Sequence, residues 1–373
     1  VGAMNLVSLA TFLRDQGQPS FRLGQVKRAF YIEGIDSWEG LTTWPKALRE
    51  LAAANIPWDT LKSLKTQVSA KGDTVKTLFE LSDGKKVETV IMRHEGGRNT
   101  VCISSQVGCA MACSFCATGT MGLTRNLNAD EIAEQVVHST RWLKTQQDAH
   151  VTNVVYMGMG EPLHNYDEVM KSVRILNDHD GINLGARHIS ISTCGIVPGI
   201  LKLADEPIQV NLAISLHSAV DATRSKIMPV NKAYPVAKLM DAVDTYVNKT
   251  NRKVFFEYLM LKGLNDTPAE ANALARLLKH NYRLFHVNLI KYHETAAFTS
   301  TATKDRMSFM ERLQSMFVPV THRITFGEDI DAACGQLAVS EQAGETQSGI
   351  EVTKKSRAQK AAKEAAKTGP IAL

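Results

Sequence analysis

Residues 102–116 read Cys-Ile-Ser-Ser-Gln-Val-Gly-Cys-Ala-Met-Ala-Cys-Ser-Phe-Cys and hold four of the chain's six cysteines. Cys109, Cys113 and Cys116 follow a C-x3-C-x2-C spacing, while Cys194 and Cys334 lie far along the chain. Soft thiolates favour zinc or iron–sulfur clusters. Structural zinc takes four protein ligands, and no histidine stands near these cysteines at finger spacing. Three thiolates instead suit a [4Fe-4S] cluster whose fourth iron stays open to an outside ligand. From spacing alone, a zinc site completed by a distant residue and three unrelated buried cysteines remain as alternatives.

Downstream, short apolar runs alternate with helical patterns. Strands are expected at residues 151–157, 188–192, 209–216, 253–261, 285–290 and 320–326. Helices are expected at 129–143, with Asn128 as N-cap, and at 166–176, 236–250, 268–279 and 305–316. This alternation predicts an α/β fold with a parallel sheet: a partial (β/α)6 TIM-type barrel over residues 100–338. Polar residues gather where the strands end, the rim on which barrels carry active sites. They are Gly158-Met159-Gly160-Glu161, then Ser192, then Ser215 with His217. Glycines at a strand end let backbone approach a ligand closely. Taken singly, each polar residue suits a structural cap as well as a ligand contact; three successive strand ends favour a site.

Upstream, residues 1–72 are expected to form a small helical accessory domain. Arg14, Arg22, Lys27, Arg28, Lys46 and Arg49 are interleaved there with Phe21, Phe30, Tyr31, Trp38 and Trp44. Bases beside aromatics suit RNA, since phosphates pair with Lys/Arg and splayed bases stack on rings. An ordinary helical domain with a solvated basic face fits equally. Residues 73–99 are expected as a β-hairpin linker turning at Ser82-Asp83-Gly84. Glu88 sits in it between apolar neighbours and reads as a solvent-facing strand position. Residues 339–373 form a basic tail, best read as a solvated charge run.

The chain has 373 residues, 44% hydrophobic and 22% charged, with a net charge of +5. These values describe a soluble globular protein. No apolar run approaches the ~18–20 residues that span a bilayer, and the first residues lack the parts of a signal peptide. A cytoplasmic address is expected, where cysteines serve as ligands or catalytic groups more often than in disulfides.

The C-x3-C-x2-C spacing, with Phe115 before the last cysteine, resembles the radical S-adenosylmethionine (SAM) enzymes. Ser104-Ser105-Gln106-Val107-Gly108-Cys109, together with Gly327-Glu328-Asp329-Ile330-Asp331-Ala332-Ala333-Cys334-Gly335-Gln336-Leu337, resembles the RlmN/Cfr family of RNA-adenosine methyltransferases. The resemblance runs from the N-terminal helices to Leu337. It implies one [4Fe-4S] cluster held by Cys109, Cys113 and Cys116, with SAM on the open iron. SAM is implied to contact Gly160, Glu161, Ser192, Ser215, Leu216, His217 and His293, the last standing where the family usually has asparagine. The implied reaction uses two SAM per turnover. One methylates Cys334. The other yields a 5′-deoxyadenosyl radical that takes hydrogen from the S-methyl group, and the resulting methylene radical adds to adenine. Glu88 matches the base that deprotonates this covalent adduct. Cys102 matches the cysteine that resolves it through a transient disulfide with Cys334. The implied partners are 23S ribosomal RNA, tRNA and an external electron donor, with a monomeric enzyme and no membrane. The implied product is C2-methyladenosine. The Cfr-type alternative is C8 methylation, and a non-catalytic metal- or cluster-containing RNA-binding protein is an alternative of another class.

Overall fold

A computed structural model describes residues 6–146, 149–293, 295 and 298–338. Three helices open the chain: α1 (Leu6–Asp15), α2 (Phe21–Lys27) and α3 (Lys46–Asn55), with a π-helical segment at Arg28–Glu33 after α2. They enclose their own apolar core of Leu9, Leu13, Val26, Phe30, Trp38, Trp44 and Trp58, which also meets Val137. Trp38 and Trp58 send their indole N–H groups to the carbonyls of Ile56 and Ile35, at 2.7 and 3.0 Å. Buried indoles need such partners. Of the aromatics flagged beside bases, Phe30, Tyr31, Trp38 and Trp44 are therefore core residues, and only Phe21 is exposed. The solvated-face reading of this segment fits, because rings used to fill a core cannot stack on bases.

The expected helical character ends at Asn55. Lys62–Val68 is a strand, β1, followed by β2 (Thr74–Glu80), β3 (Lys86–Arg93) and β4 (Asn99–Cys102). All three pairings among them are antiparallel. The hairpin turns where expected, yet it is no free linker. It is the antiparallel wing of a ten-stranded sheet that continues through β4 into the barrel.

The short pair β5 (Gln106–Cys109) and β6 (Gly122–Asn126) forms a separate ribbon, with α4 (Ala117–Thr120) in the loop between them. Then come α5 (Ala129–Lys144), β7 (Asn153–Tyr156), α6 (Tyr166–Asn177), β8 (Ile189–Thr193), α7 (Val197–Ala204), β9 (Asn211–Ser215), α8 (Asp221–Ile227) and α9 (Val236–Thr250). The chain continues through β10 (Val254–Met260), α10 (Pro268–Leu278), β11 (Phe285–Lys291), α11 (Thr303–Ser315) and β12 (Val320–His322). From β4 through β7–β12 every pairing is parallel, and β1 and β12 stay at opposite edges. This is the expected partial barrel. Asn128 caps α5 in a full capping box with Glu131. Among the described residues no helix is long and apolar enough to cross a membrane. The basic tail at 339–373 lies outside the described residues.

Candidate active site

The cysteine stretch is shaped by β5 and β6. Cys109 ends β5 opposite Gly122, and the chain loops through Cys113 and Cys116 into α4. Gly108 has φ +75°, and a Cβ there would lie 1.9 Å from the carbonyl oxygen of Gly122. Only glycine permits this ribbon. Behind it, the Cβ positions of Gly158 and Gly160 would meet Ile103 and Gln106 at 2.7 and 2.6 Å. The strand-end glycines are thus required first for packing against the cysteine stretch; approach to a ligand comes second.

One cavity is lined by Cys109, Cys113, Cys116, Glu161, Ser192, Ser215 and His217. A second, adjoining cavity is lined by Val90, Cys102, His293, Ile324 and Phe326. Cys334, Cys116, Met157 and Arg323 border both. All six cysteines are free thiols. Burial pushes the Cys109 thiol up to about 11. Cys113 is raised further, by burial and then by the facing charges of Cys116 and Cys109. Two buried sulfurs and a half-buried one that repel one another as thiolates are a donor set short of a cation. A [4Fe-4S] cluster fits them, because a ligated thiol is deprotonated outright and its charge compensated.

Glu161 braces the rim. Its amide donates to Gln106 Oε1 at 2.8 Å, and its carboxylate accepts from the amides of Leu163 (3.0 Å) and Cys194 (2.8 Å). Ser192 and Ser215 stand on neighbouring strands with their hydroxyls 3.5 Å apart. His217 has φ +58°, and its Nδ1 accepts from the Leu259 amide at 3.0 Å. The imidazole is therefore held with a lone pair on Nδ1, and burial pushes its pKa down to about 3.

The structure does not gather every expected residue into one cavity. Leu216 buries its side chain in the core, so only its backbone is available at the rim. His293 lines the second cavity, its Nδ1 3.3 Å from Glu328 Oε1. Glu88 is not solvent-facing; it is 5% exposed. It lines neither cavity. It lies two residues before Val90, the register partner of Cys102. Residues two apart on a strand share a face, so Glu88 and Cys102 point to the same side of the sheet. Burial raises the Glu88 carboxyl above the usual range, with Lys76 opposing.

Cys102 is buried, and its thiol is pushed up to about 12 by burial and by Cys334, with Arg323 opposing. Arg323 went unnoticed in the sequence. It is 3.2 Å from Glu257 Oε2 and hydrogen-bonds Met157 Sδ at 3.5 Å. Glu257 also accepts from Asn288 Nδ2 at 2.9 Å. A lone acid inside the apolar run Val254–Met260 was the available signal. Arg224 was also missed and carried no signal. Fully buried, it donates to the carbonyls of Cys194, Leu216 and Ser215 and to Asn231 Oδ1. It ties two successive strand ends together beneath the first cavity.

The Radical SAM superfamily profile matches residues 103–275. Proteins described as probable dual-specificity RNA methyltransferase RlmN from Staphylococcus aureus strains JH9 and MRSA252 are each 44% identical over 340 residues. Each alignment covers 91% of this chain and 92% of the relative. A crystal structure of a radical SAM methyltransferase from Sphaerobacter thermophilus superposes with a TM-score of 0.85 at 44% identity, covering 89% of this chain and 97% of that one. With the fold, the thiol triad and the full-length similarity in agreement, the chain belongs to the RlmN-type family of radical SAM RNA methyltransferases.

Proposed function

We propose that this enzyme methylates C2 of an adenosine in 23S ribosomal RNA, and C2 of an adenosine in the tRNA anticodon loop, through a covalent enzyme–RNA adduct on Cys334. The observation that carries this reading is the place of Cys334, which borders both the cavity of the thiol triad and the cavity of Cys102. One residue can then face the radical source on one side and the resolving thiol on the other.

Cys109, Cys113 and Cys116 would hold the cluster, with its fourth iron left for SAM. Gly160, Glu161, Ser192, Ser215, His217 and the Leu216 backbone would border SAM, with His293 on the second-cavity side. When bound, cluster and SAM supply a methyl group and a one-electron route to hydrogen abstraction, two SAM being used per turnover. Cys334 carries the methyl group as S-methylcysteine and presents its carbon to the adenine ring. Glu88 takes the proton from the adduct carbon as the adduct gives up its unpaired electron, for which the cluster would be the one-electron acceptor. Cys102, as thiolate, attacks the Cys334 sulfur; the carbon–sulfur bond breaks with its electron pair left on the methylene carbon, which takes up a proton to become the methyl group, and methylated RNA leaves as a Cys102–Cys334 disulfide forms. An external thiol reductant then restores both cysteines, and an external electron donor serves the cluster. The enzyme works in the cytoplasm as a monomer.

The deciding experiment is mass spectrometry of nucleosides from ribosomal RNA and tRNA treated with the reconstituted enzyme. 2-Methyladenosine in both RNAs is expected. 8-Methyladenosine alone would transfer the chain to the Cfr-type activity. Product in ribosomal RNA only would remove tRNA from the reading.

A further inference from the structure

Lys76 is a lysine where none is expected. It lies in the middle of β2 and is 8% exposed. Its register partner is Val90, Val90 is the partner of Cys102, and Leu78 is the partner of Glu88. Opposed residues of an antiparallel ladder share a face, and the faces alternate along each strand. Lys76, Glu88 and Cys102 therefore project from one face of the antiparallel wing. The loop that carries Cys334 covers that face. Lys76 Nζ lies 3.5 Å from Glu88 Oε1 and donates to the Asp331 carbonyl at 3.1 Å. One ammonium thus touches both the carboxylate and the loop, three residues before Cys334.

The loop is fastened on both sides of Cys334. Before it, Asp329 accepts from the Ala70 amide at 2.8 Å. After it, the Gly335 carbonyl accepts from the Ala117 amide at 2.8 Å, and the Leu337 carbonyl from Thr118 Oγ1 at 2.6 Å. Lys76 is the fastening that brings a positive charge against both the loop and Glu88. Stability alone does not ask for such a pair, since a buried ion pair is often no better than apolar residues of the same volume. Glu88 Oε2 is buried without a hydrogen-bond partner among the described residues. A purely structural carboxylate would have both oxygens satisfied; this one keeps an oxygen free to accept a proton.

We propose that Lys76 is a positioning residue that keeps the Glu88 carboxylate in its proton-accepting form and, with the same ammonium, latches the Cys334 loop over it. The inference rests on the reading of Glu88 as the base. The charged groups facing Glu88 are Lys76 from β2 and Asp331 from the loop. Burial and Asp331 favour the protonated acid; Lys76, as a charge and a hydrogen-bond donor, opposes them first, and the Ala338 amide adds to its effect. Without Lys76 the ammonium that opposes burial is gone, and the carboxyl shifts further toward its protonated form, which cannot take another proton.

The test uses the full chain with Lys76→Gln, Lys76→Met, Lys76→Arg and Glu88→Gln. Glutamine keeps a donor for the Asp331 carbonyl and removes the charge, methionine removes both, and arginine keeps both. The Glu88 carboxyl stretch, assigned by its loss in Glu88→Gln, is titrated by infrared difference spectroscopy. Its midpoint is expected to rise by about one pH unit or more in Lys76→Gln and Lys76→Met, and to stay near wild type in Lys76→Arg. The acid limb of methyl transfer by the reconstituted enzyme should move with it. Hydrogen exchange at 327–338 should quicken in Lys76→Met alone. An unmoved midpoint in folded Lys76→Gln overturns the inference. Should methionine fail to fold, glutamine and arginine decide. Full turnover by Glu88→Gln would instead sink the base reading, whatever the midpoint does.

Discussion

The rings of Phe115 and His217 meet edge to face, with centroids 4.8 Å apart and planes at 82°. Phe115 belongs to the cysteine loop and His217 to the segment after β9, so this contact seats the loop on the barrel rim. His217 stays neutral in the folded protein, with its pKa lowered to about 3 by burial and by Arg224. The sign follows. The unfolded chain binds a proton near the ordinary value of 6.5, while the folded one does not until far lower pH. The stability His217 contributes is present above that ordinary value and is lost as pH falls toward about 3. Between neutrality and pH ~5 the loss from this residue should be about 2 kcal/mol. Denaturant melts of the cluster-free protein should show this slope, and His217→Asn should flatten it. Asparagine is chosen because it tolerates left-handed backbone. Equal slopes in wild type and variant would contradict the account.

The thiol triad makes a selective prediction because Cys194 borders the same cavity. Its amide is held by Glu161 and its carbonyl by Arg224, so its backbone is committed to the rim brace. Anaerobic reconstitution should give an iron–sulfur chromophore that disappears when Cys109, Cys113 or Cys116 becomes alanine, with the far-ultraviolet dichroism unchanged. Cys194→Ala should keep it. Retention of colour in Cys113→Ala, or stoichiometric zinc in place of iron, would defeat the assignment.

What the sequence made legible tracks how local each cause is. The triad spacing is local, and so is the alternation of strand and helix from β7 to β12; both were readable. Ser192, Ser215 and His217, which line one cavity with the thiol triad, were singled out because strand ends can be located without knowing the packing. Glu88 was misread because its burial is not local. The β3 sequence Lys-Val-Glu-Thr-Val-Ile-Met-Arg looks like a strand with a wet face, and that face is closed by a loop some 240 residues later, anchored on Lys76. The N-terminal aromatics failed for the same reason: interleaving with bases says nothing about which side faces a core. Strand β1, Lys-Ser-Leu-Lys-Thr-Gln-Val, has an exposed first half at the sheet edge. Its polar composition carries no strand signal, since edge strands are often charged.

Gly160 offers a test of packing against ligand approach. Its φ is +102°, and a Cβ there would sit 2.6 Å from the Gln106 Cβ. Alanine must therefore bear left-handed strain, ~1–3 kcal/mol, and overpacking of similar size. Gly160→Ala should lose about 2–5 kcal/mol in urea denaturation even with no cluster or SAM present. If only SAM binding suffered and cluster-free stability were unchanged, the glycine would be serving the ligand alone.

Cys102 and Cys334 should behave as opposite ends of one reaction. On the proposed mechanism Cys334→Ala would remove the carbon carrier, and no covalent enzyme–RNA species should form. Cys102→Ala would remove the group that breaks the link, so the adduct should accumulate and be visible as a slow-migrating band on a denaturing gel. The wild-type enzyme adds a pH signature. Burial and the neighbouring Cys334 hold the Cys102 thiol up near about 12, against the pull of Arg323. Only a small fraction is thiolate at neutral pH, and that fraction rises about tenfold per pH unit below the pKa. Single-turnover decay of the adduct should therefore quicken with pH across the neutral and mildly alkaline range. Arg323→Met should slow it throughout, because the guanidinium that favours the thiolate is gone. A Cys102→Ala enzyme that turns over at the wild-type rate would remove Cys102 from the mechanism. Adduct decay independent of pH would mean that thiolate formation does not limit its resolution.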